Sequence, residues 1–326
     1  MQDKRPHGCS RSRREVLSAG ALTAASILLG SQTRAKSASQ GGSERCTVHV
    51  FSKHLHWLDY EGMAETAAEI GFDGVDLTVR PRGHVFPERV EDDLPEAVEA
   101  AQKAGIKITM MTTAITDPRD PLTKSILATA GRLGIGYYRM GYYRYEDNKP
   151  IAKYLDEIRP MVADLAAMNE HYGIAGSYQN HAGARYVGAP LWDLYGLLKD
   201  LDRRWLGCQY DIRHATVEGG TAWPTTLRLL APHINTLVAK DFRWTEESGK
   251  TRAENCPLGE GMVDFAAYFE MLARQRIAGP MSLHLEYPLG GAEHGARRLT
   301  TPAENVTNAM RKDLSKLRTW LKQRNL

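Results

Sequence analysis

The chain has 326 residues, 42% hydrophobic and 25% charged, with 29 Gly and 15 Pro; that balance fits a folded chain with a sizeable core and excludes a collagen-like, disordered or disulfide-dependent mini-protein. The formal charge is +3, but residues 1–38 hold seven of the 42 Lys and Arg and only two of the 39 Asp and Glu, which leaves 35 basic against 37 acidic groups beyond them. A remainder so close to neutral, with no run of Lys and Arg interleaved with aromatics, excludes nucleic acid as the expected partner.

At the amino terminus, Ser12-Arg13-Arg14-Glu15-Val16-Leu17 precedes a weakly apolar stretch from Ala19 to Gly30 that is too short and too rich in Ala, Ser and Thr to span a bilayer. It resembles a twin-arginine export signal, with cleavage expected near Ala35 or Ala38. Residues 1–40 are therefore read as a leader and 41–326 as the folded part, in a periplasmic or secreted protein with no stable membrane anchor. Cys46, Cys208 and Cys256 remain beyond the leader, an odd number with no C-x-x-C spacing, so no disulfide framework is expected. Cys46 and Cys208 sit in apolar runs that suit buried, unreactive thiols.

From Cys46 onward, short apolar runs alternate with stretches of helical period. CTVHVFS (46–52) precedes a helix from Tyr60 to Ile70, and GVDLTV (74–79) precedes an acidic helix from Asp92 to Ala104. IKITMMTT (106–113) leads to a helix over Leu122 to Leu133, and YYRMG (137–141) to a long one over Ile151 to Tyr172. IAGSYQN (174–180), LGCQYD (206–211), INTLVAKD (234–241) and PMSLHLE (280–286) follow, each with a helical stretch behind it. Eight strand–helix units without a linker predict an α/β fold, a single-domain closed (β/α)8 TIM barrel. An open doubly wound sheet is the alternative, but the first turn, Ser52-Lys53-His54-Leu55-His56-Trp57, lacks the Gly-rich phosphate fingerprint.

Chemistry in such a barrel gathers at the carboxyl ends of the strands. Polar residues there are Lys53 and His54, Asp76 and Arg80, Thr112 and Thr113, Arg139, Gln179 and His181, Asp211 and His214, Lys240 and Asp241, and His284 and Glu286. Residues two apart on a strand share a face, which groups Gln179 with His181, Gln209 with Asp211, Val238 with Lys240, and His284 with Glu286. Asp211, Lys240 and Glu286 cannot be buried separately, because an unpaired interior charge costs several kcal/mol. They must meet each other, a metal or a ligand.

GFDGVDL (71–77), YDIRH (210–214), VAKDF (238–242), PLGEGMVDF (257–265) and HLEY (284–287) together resemble the xylose isomerase-like TIM-barrel superfamily of sugar isomerases, epimerases and dehydratases. The resemblance implies a divalent cation (Mn, Mg, Zn or Co) held by groups closing strands five to eight. Asp211 and Glu286 match the second and fourth ligand positions, while Gln179 stands at the first and Val238, which cannot ligate, at the third. His181, His284 or water would have to help complete the ligand set. Two readings stay open: a cation held by Asp211, Glu286, Gln179 and His181, or the Lys240 ammonium in the cation's place between Asp211 and Glu286. A surface salt bridge between Lys240 and Asp241 is the plain alternative.

Only one of the two carboxylates used in symmetric epimerisation is in place, so the expected reaction is an isomerase or lyase (dehydratase) step by proton abstraction next to a carbonyl, with Glu286 as base and His181, His214 or Lys240 as the second catalytic group. Lys53, His54, Arg80, His84, His214 and Trp244 are the expected substrate contacts, and the partner a small carbohydrate or polyol. The fold leaves room for a homo-oligomer. PLGEGMVDF reads either as a lid over the barrel mouth or as a shaped turn with Asp264 capping the next helix. The rival from another class is a non-catalytic carbohydrate-binding barrel.

Overall fold

A computed structural model describes residues 45–326; the export leader expected over 1–40 lies outside the described residues. Strand β1 (Thr47–Phe51) leads to α1 (Tyr60–Ile70), which Asp59 caps by accepting the Gly62 N–H and which Gly71 ends at φ 99°. The repeat continues through β2 (Gly74–Val79), α2 (Val90–Lys103), β3 (Lys107–Thr113), α3 (Pro121–Arg132), β4 (Tyr137–Arg139), α4 (Ile151–Tyr172) and β5 (Ala175–Gln179). After α5 (Trp192–Leu198) come β6 (Leu206–Asp211), α6 (Ile212–Gly219), α7 (Trp223–Leu230) and β7 (Ile234–Ala239).

The eight predicted strands and the four helices of the first half fall within a few residues of their sequence positions. Between β7 and its helix the chain adds a pair of strands beyond the eight predicted. They form an antiparallel hairpin, β8 (Asp241–Glu247) and β9 (Lys250–Cys256), before α8 (Phe265–Gln275), β10 (Pro280–Leu283) and α9 (Ala303–Gln323). Ser248 and Gly249 turn the hairpin with φ of 53° and 71°, the positive pair that a two-residue turn of this twist requires. Ser-Gly between alternating residues was the available signal.

Strands β1 to β7 and β10 close into a barrel in the order β1-β10-β7-β6-β5-β4-β3-β2, with parallel pairing throughout. Leu77, Leu237 and Met281, all at most 1% exposed, are among the strand residues that pack outward against the helices. The interior is unusually polar: Asp76, Ser177, Gln209, Thr236 and Ser282 are each at most 1% exposed. Asp76 accepts the hydroxyls of Thr112 (3.0 Å) and Ser282 (2.7 Å), so this carboxyl is held deep below the mouth. Cys208 is buried and free, as expected, and burial raises its thiol pKa. Cys46 is half-buried and also free. Among the described residues, no helix is long and apolar enough to cross a membrane.

Candidate active site

Lys240, the residue after β7, places its ammonium at the centre of the carboxyl-end ring. Its Nζ lies 3.1 Å from Asp211 Oδ2, 3.1 Å from Glu286 Oε2 and 2.8 Å from His214 Nε2. Strand pairing explains the meeting: Val238 is the register partner of Asp211, and Lys240 stands one step further on the same face. Its four-carbon stem then brings the charge to the Asp211 level. Lys240 is 3% exposed and Asp211 0%, whereas the Glu286 side chain keeps 23% exposure. Glu286 is thus the carboxylate a ligand can reach.

The electrostatics follow from this clustering. Burial works to lower the Lys240 pKa, but Asp211 and Glu286 overcome it and raise it above the ordinary 10.5. Burial works to raise Glu286, and Lys240 and Lys53 overcome it and hold its carboxyl well below the ordinary 4.5. Lys53 donates to Glu286 Oε1 at 2.6 Å, so both carboxylate oxygens carry an ammonium. Lys240 and Asp241 form no surface pair, because adjacent residues of an extended chain point opposite ways. Asp241, on the far side, accepts backbone N–H bonds from Phe242, Gly259, Gly261 and Val263. Those bonds anchor the PLGEGM turn, a Cβ at Gly261 would lie 2.3 Å from Asp241 Oδ1, and Asp264 caps α8 through the Ala267 N–H. The shaped-turn reading of that motif describes the structure.

Asp211 also starts α6: its Oδ1 accepts the His214 N–H (3.1 Å), while Oδ2 accepts Gln179 Nε2 at 2.7 Å. Gln179 Oε1 receives Tyr142 Oη (2.5 Å) and Arg139 Nη1 (3.3 Å). Tyr142 was missed in the sequence. It lies beyond the strand end in YYRMGYYRY, where alternation no longer says which way a ring points.

Several expected substrate contacts have other work. His54 is fully buried, donates from Nδ1 to Ala292 O (3.1 Å) and accepts the Leu285 N–H at Nε2 (2.9 Å). His84, 5% exposed, bonds through Nε2 to Leu55 O and stacks edge-on against His56. These imidazoles tie the loops after β1 and β2 to the segment after β10, so their expected sugar-binding role is corrected to a structural one. His214 is 4% exposed with both ring nitrogens against Arg213 and Lys240, which removes it from the expected substrate contacts as well. Trp244 rises on β8, 46% exposed and edge-on to Phe242 at 5.6 Å, whereas Trp223 is a buried core residue.

His181 differs from these. Its Nδ1 donates to Ala182 O at 2.8 Å, which leaves Nε2 as a lone-pair acceptor. The ring is sandwiched between His214 (4.0 Å) and Tyr186 (4.2 Å), and burial, then Lys240, lower its pKa to about 4. It is a neutral imidazole at physiological pH.

This donor set does not fit a divalent cation. The seat between Asp211 and Glu286 is filled by the Lys240 ammonium, and Gln179 turns its N–H rather than its oxygen toward Asp211. Among the described residues, no group of three His, Cys, Asp or Glu side chains converges in a way that could hold a metal ion. As placed, Asp211, Glu286, Gln179 and His181 do not form the cation site expected of them: a cation as hard as Mg²⁺ or Mn²⁺ needs oxygens that the ammonium already occupies.

Similar structures are numerous. The chain is similar to the IOLI protein with a binding zinc atom (TM-score 0.65, 17% identity, 84% of this chain and 99% of that one covered). It is also similar to D-allulose 3-epimerase from Methylomonas sp. (TM-score 0.63, 14% identity, covering 85% and 99%). A third is 3-keto-D-glucoside 4-epimerase, YcjR, from E. coli (TM-score 0.59, 16% identity, covering 84% and 100%). At these identities the likeness shows the barrel fold. No curated protein sequence matches the chain. The family model of the xylose isomerase-like TIM barrel matches residues 64–302, and with that match spanning most of the closed barrel, the chain belongs to the xylose isomerase-like TIM barrel family.

Proposed function

We propose that this chain is a carbohydrate isomerase that works by enolisation, with a lysine ammonium supplying the positive charge. The observation that carries the reading is the Lys240 ammonium held between buried Asp211 and reachable Glu286. A substrate carbonyl oxygen entering from the cleft replaces Glu286 Oε2 as acceptor of a Lys240 N–H. Glu286, relieved of one ammonium, becomes more basic and removes the proton from the carbon next to the carbonyl. The C–H pair becomes the C=C bond, the carbonyl π pair moves onto oxygen, and Lys240 stabilises the enediolate. Glu286 then returns the proton to the neighbouring carbon, while His181 Nε2 relays the hydroxyl proton between the two oxygens. The sugar epimerases among the similar structures support this chemistry. The paired arginines Arg13 and Arg14 support an exported enzyme acting on free sugars.

Hydrogen exchange in D2O tests the reading over a panel of free aldoses and ketoses. Wild type incorporates deuterium beside the carbonyl, and Glu286→Gln loses at least about 10³-fold in exchange while ligand affinity stays within a few-fold. Binding by both proteins with no exchange by wild type would establish the carbohydrate-binding barrel instead.

The pH–rate profile follows from the same charges. The active base is deprotonated, Lys240 and Lys53 hold its pKa well below 4.5, and His181 titrates at about 4. kcat/KM, which reports the free enzyme, is therefore expected to be flat from about pH 6 to 9. A break near 6.5 would mean that an ordinary imidazole does the chemistry and that Glu286 does not.

A further inference from the structure

We infer that the site binds an acidic sugar, whose oxyanion group is held by the guanidinium groups of Arg80 and Arg139. The inference rests on the proposed carbohydrate chemistry and names its substrate class. Arg80 follows β2 at the barrel mouth and is half-buried; its backbone bonds Val85 and Gly83, yet its guanidinium makes no hydrogen bond or ion pair with any described residue. Its guanidinium lies 5.6 Å from the Phe51 ring centroid, against the same ring that Lys53 Nζ approaches to 5.2 Å. Phe51 in turn stacks on His284 at 4.3 Å, which fixes this cationic edge beside Glu286.

Arg139, at the end of β4, is 6% exposed, and its guanidinium forms no ion pair with a carboxylate among the described residues. Two of its nitrogens reach neutral oxygens, Gln179 Oε1 (3.3 Å) and Thr113 O (3.1 Å), and its Nε is buried without an acceptor. The neighbouring acids are committed elsewhere: Asp76 to two hydroxyls, Asp211 to Lys240, Glu286 to two lysines. His214 cannot relieve the surplus, since a neutral imidazole accepts at one nitrogen and both of its nitrogens face cations. Burial, then Arg139, lower the Arg80 pKa to about 10, and the more distant charges of Asp76 and Glu286 offset this only in part.

The mouth therefore offers donors and positive charge in excess of what the protein consumes. A neutral hydroxyl would accept one N–H and leave the charge standing. A carboxylate or phosphate matches the planar guanidinium fork and neutralises it. Both sources share the oxyanion, and matched ligands separate them.

Calorimetric titration of the full chain with D-glucuronate and D-galacturonate, the parent hexoses and the hexose 6-phosphates provides the test. At least one acid or phosphate binds about tenfold or more tightly than its parent hexose, and this preference falls below about threefold in Arg80→Gln, with Arg139→Gln acting in the same direction. Arg80→Lys, which keeps the charge and loses the fork, retains part of it and controls for misfolding. A preference for uronates assigns a carboxylate, and one for phosphates a phosphate. Equal affinity for the neutral hexoses, a preference that survives both substitutions, or no binding of any anion would overturn the inference. Exchange of neutral hexoses without that preference removes only the anion site; uronates bound but never exchanged remove only the isomerase reading.

Discussion

Lys240→Met lowers turnover by about 10³-fold and destabilises the protein by about 3–5 kcal/mol. The stability loss arises at Asp211, which is 0% exposed and would keep a buried charge with its ammonium gone. Gln179 and the His214 N–H would still solvate it, but neither is a cation. The turnover loss arises at Glu286 and the reacting oxygen, where the positive charge of the enediolate step would be missing. The two effects separate in a double variant. Lys240→Met with Asp211→Asn restores most of the melting temperature, since no charge is left buried, and leaves turnover low. Chelator treatment leaves wild-type exchange unchanged, because the cation is covalently part of the chain. Wild-type activity that disappears with chelator and returns with Mn²⁺ would sink the assignment of Lys240.

The second large effect is acid unfolding. Burial lowers the pKa of His49 and His56 to about 4 and of His54 and His84 to about 3, and it holds His214 and His284 well below the ordinary 6.5. All six are at most 6% exposed. Below pH 6.5 the unfolded chain takes up protons that the folded one refuses, so stability falls as pH falls. Each residue contributes about 1.4 kcal/mol of loss by one unit below 6.5, roughly 8 kcal/mol for six at pH 5.5. Burial raises the carboxyl pKa values of Asp76, Asp211 and Asp313, which offsets part of this as the pH drops further. Against a typical stability of about 5–15 kcal/mol, the melting temperature is expected to drop steeply between about pH 6.5 and 5 and to be nearly level from 7 to 9. A melting temperature unchanged at pH 5 would mean that these imidazoles are solvated and that the plug joining the loops after β1, β2 and β10 is open.

The strand–helix repeat was legible because its signal is local. Alternation along β2 or β6 and helical period along α1 or α4 arise within a few residues, and the topology of a parallel barrel then fixes which ends carry chemistry. The same locality made it possible to say that Asp211, Lys240 and Glu286 share one ring and cannot be buried apart. Which partner each one takes was not local. Lys240 reaches Asp211 across β6 and β7 because of the strand register and the length of its stem, and that contact puts an ammonium where residue order alone left an ammonium and a metal ion both open. His54 and His181 both stood at strand ends in the sequence. Only the tertiary structure shows that the segment after β10 bonds the first at both nitrogens, while the second bonds the Ala182 carbonyl through Nδ1 and keeps a free lone pair at Nε2. The sequence thus determined the barrel and the residues at its mouth, from periodicity and charge. The tertiary structure decided their pairing, because hydrogen bonds and desolvation depend on distances between residues far apart in the chain.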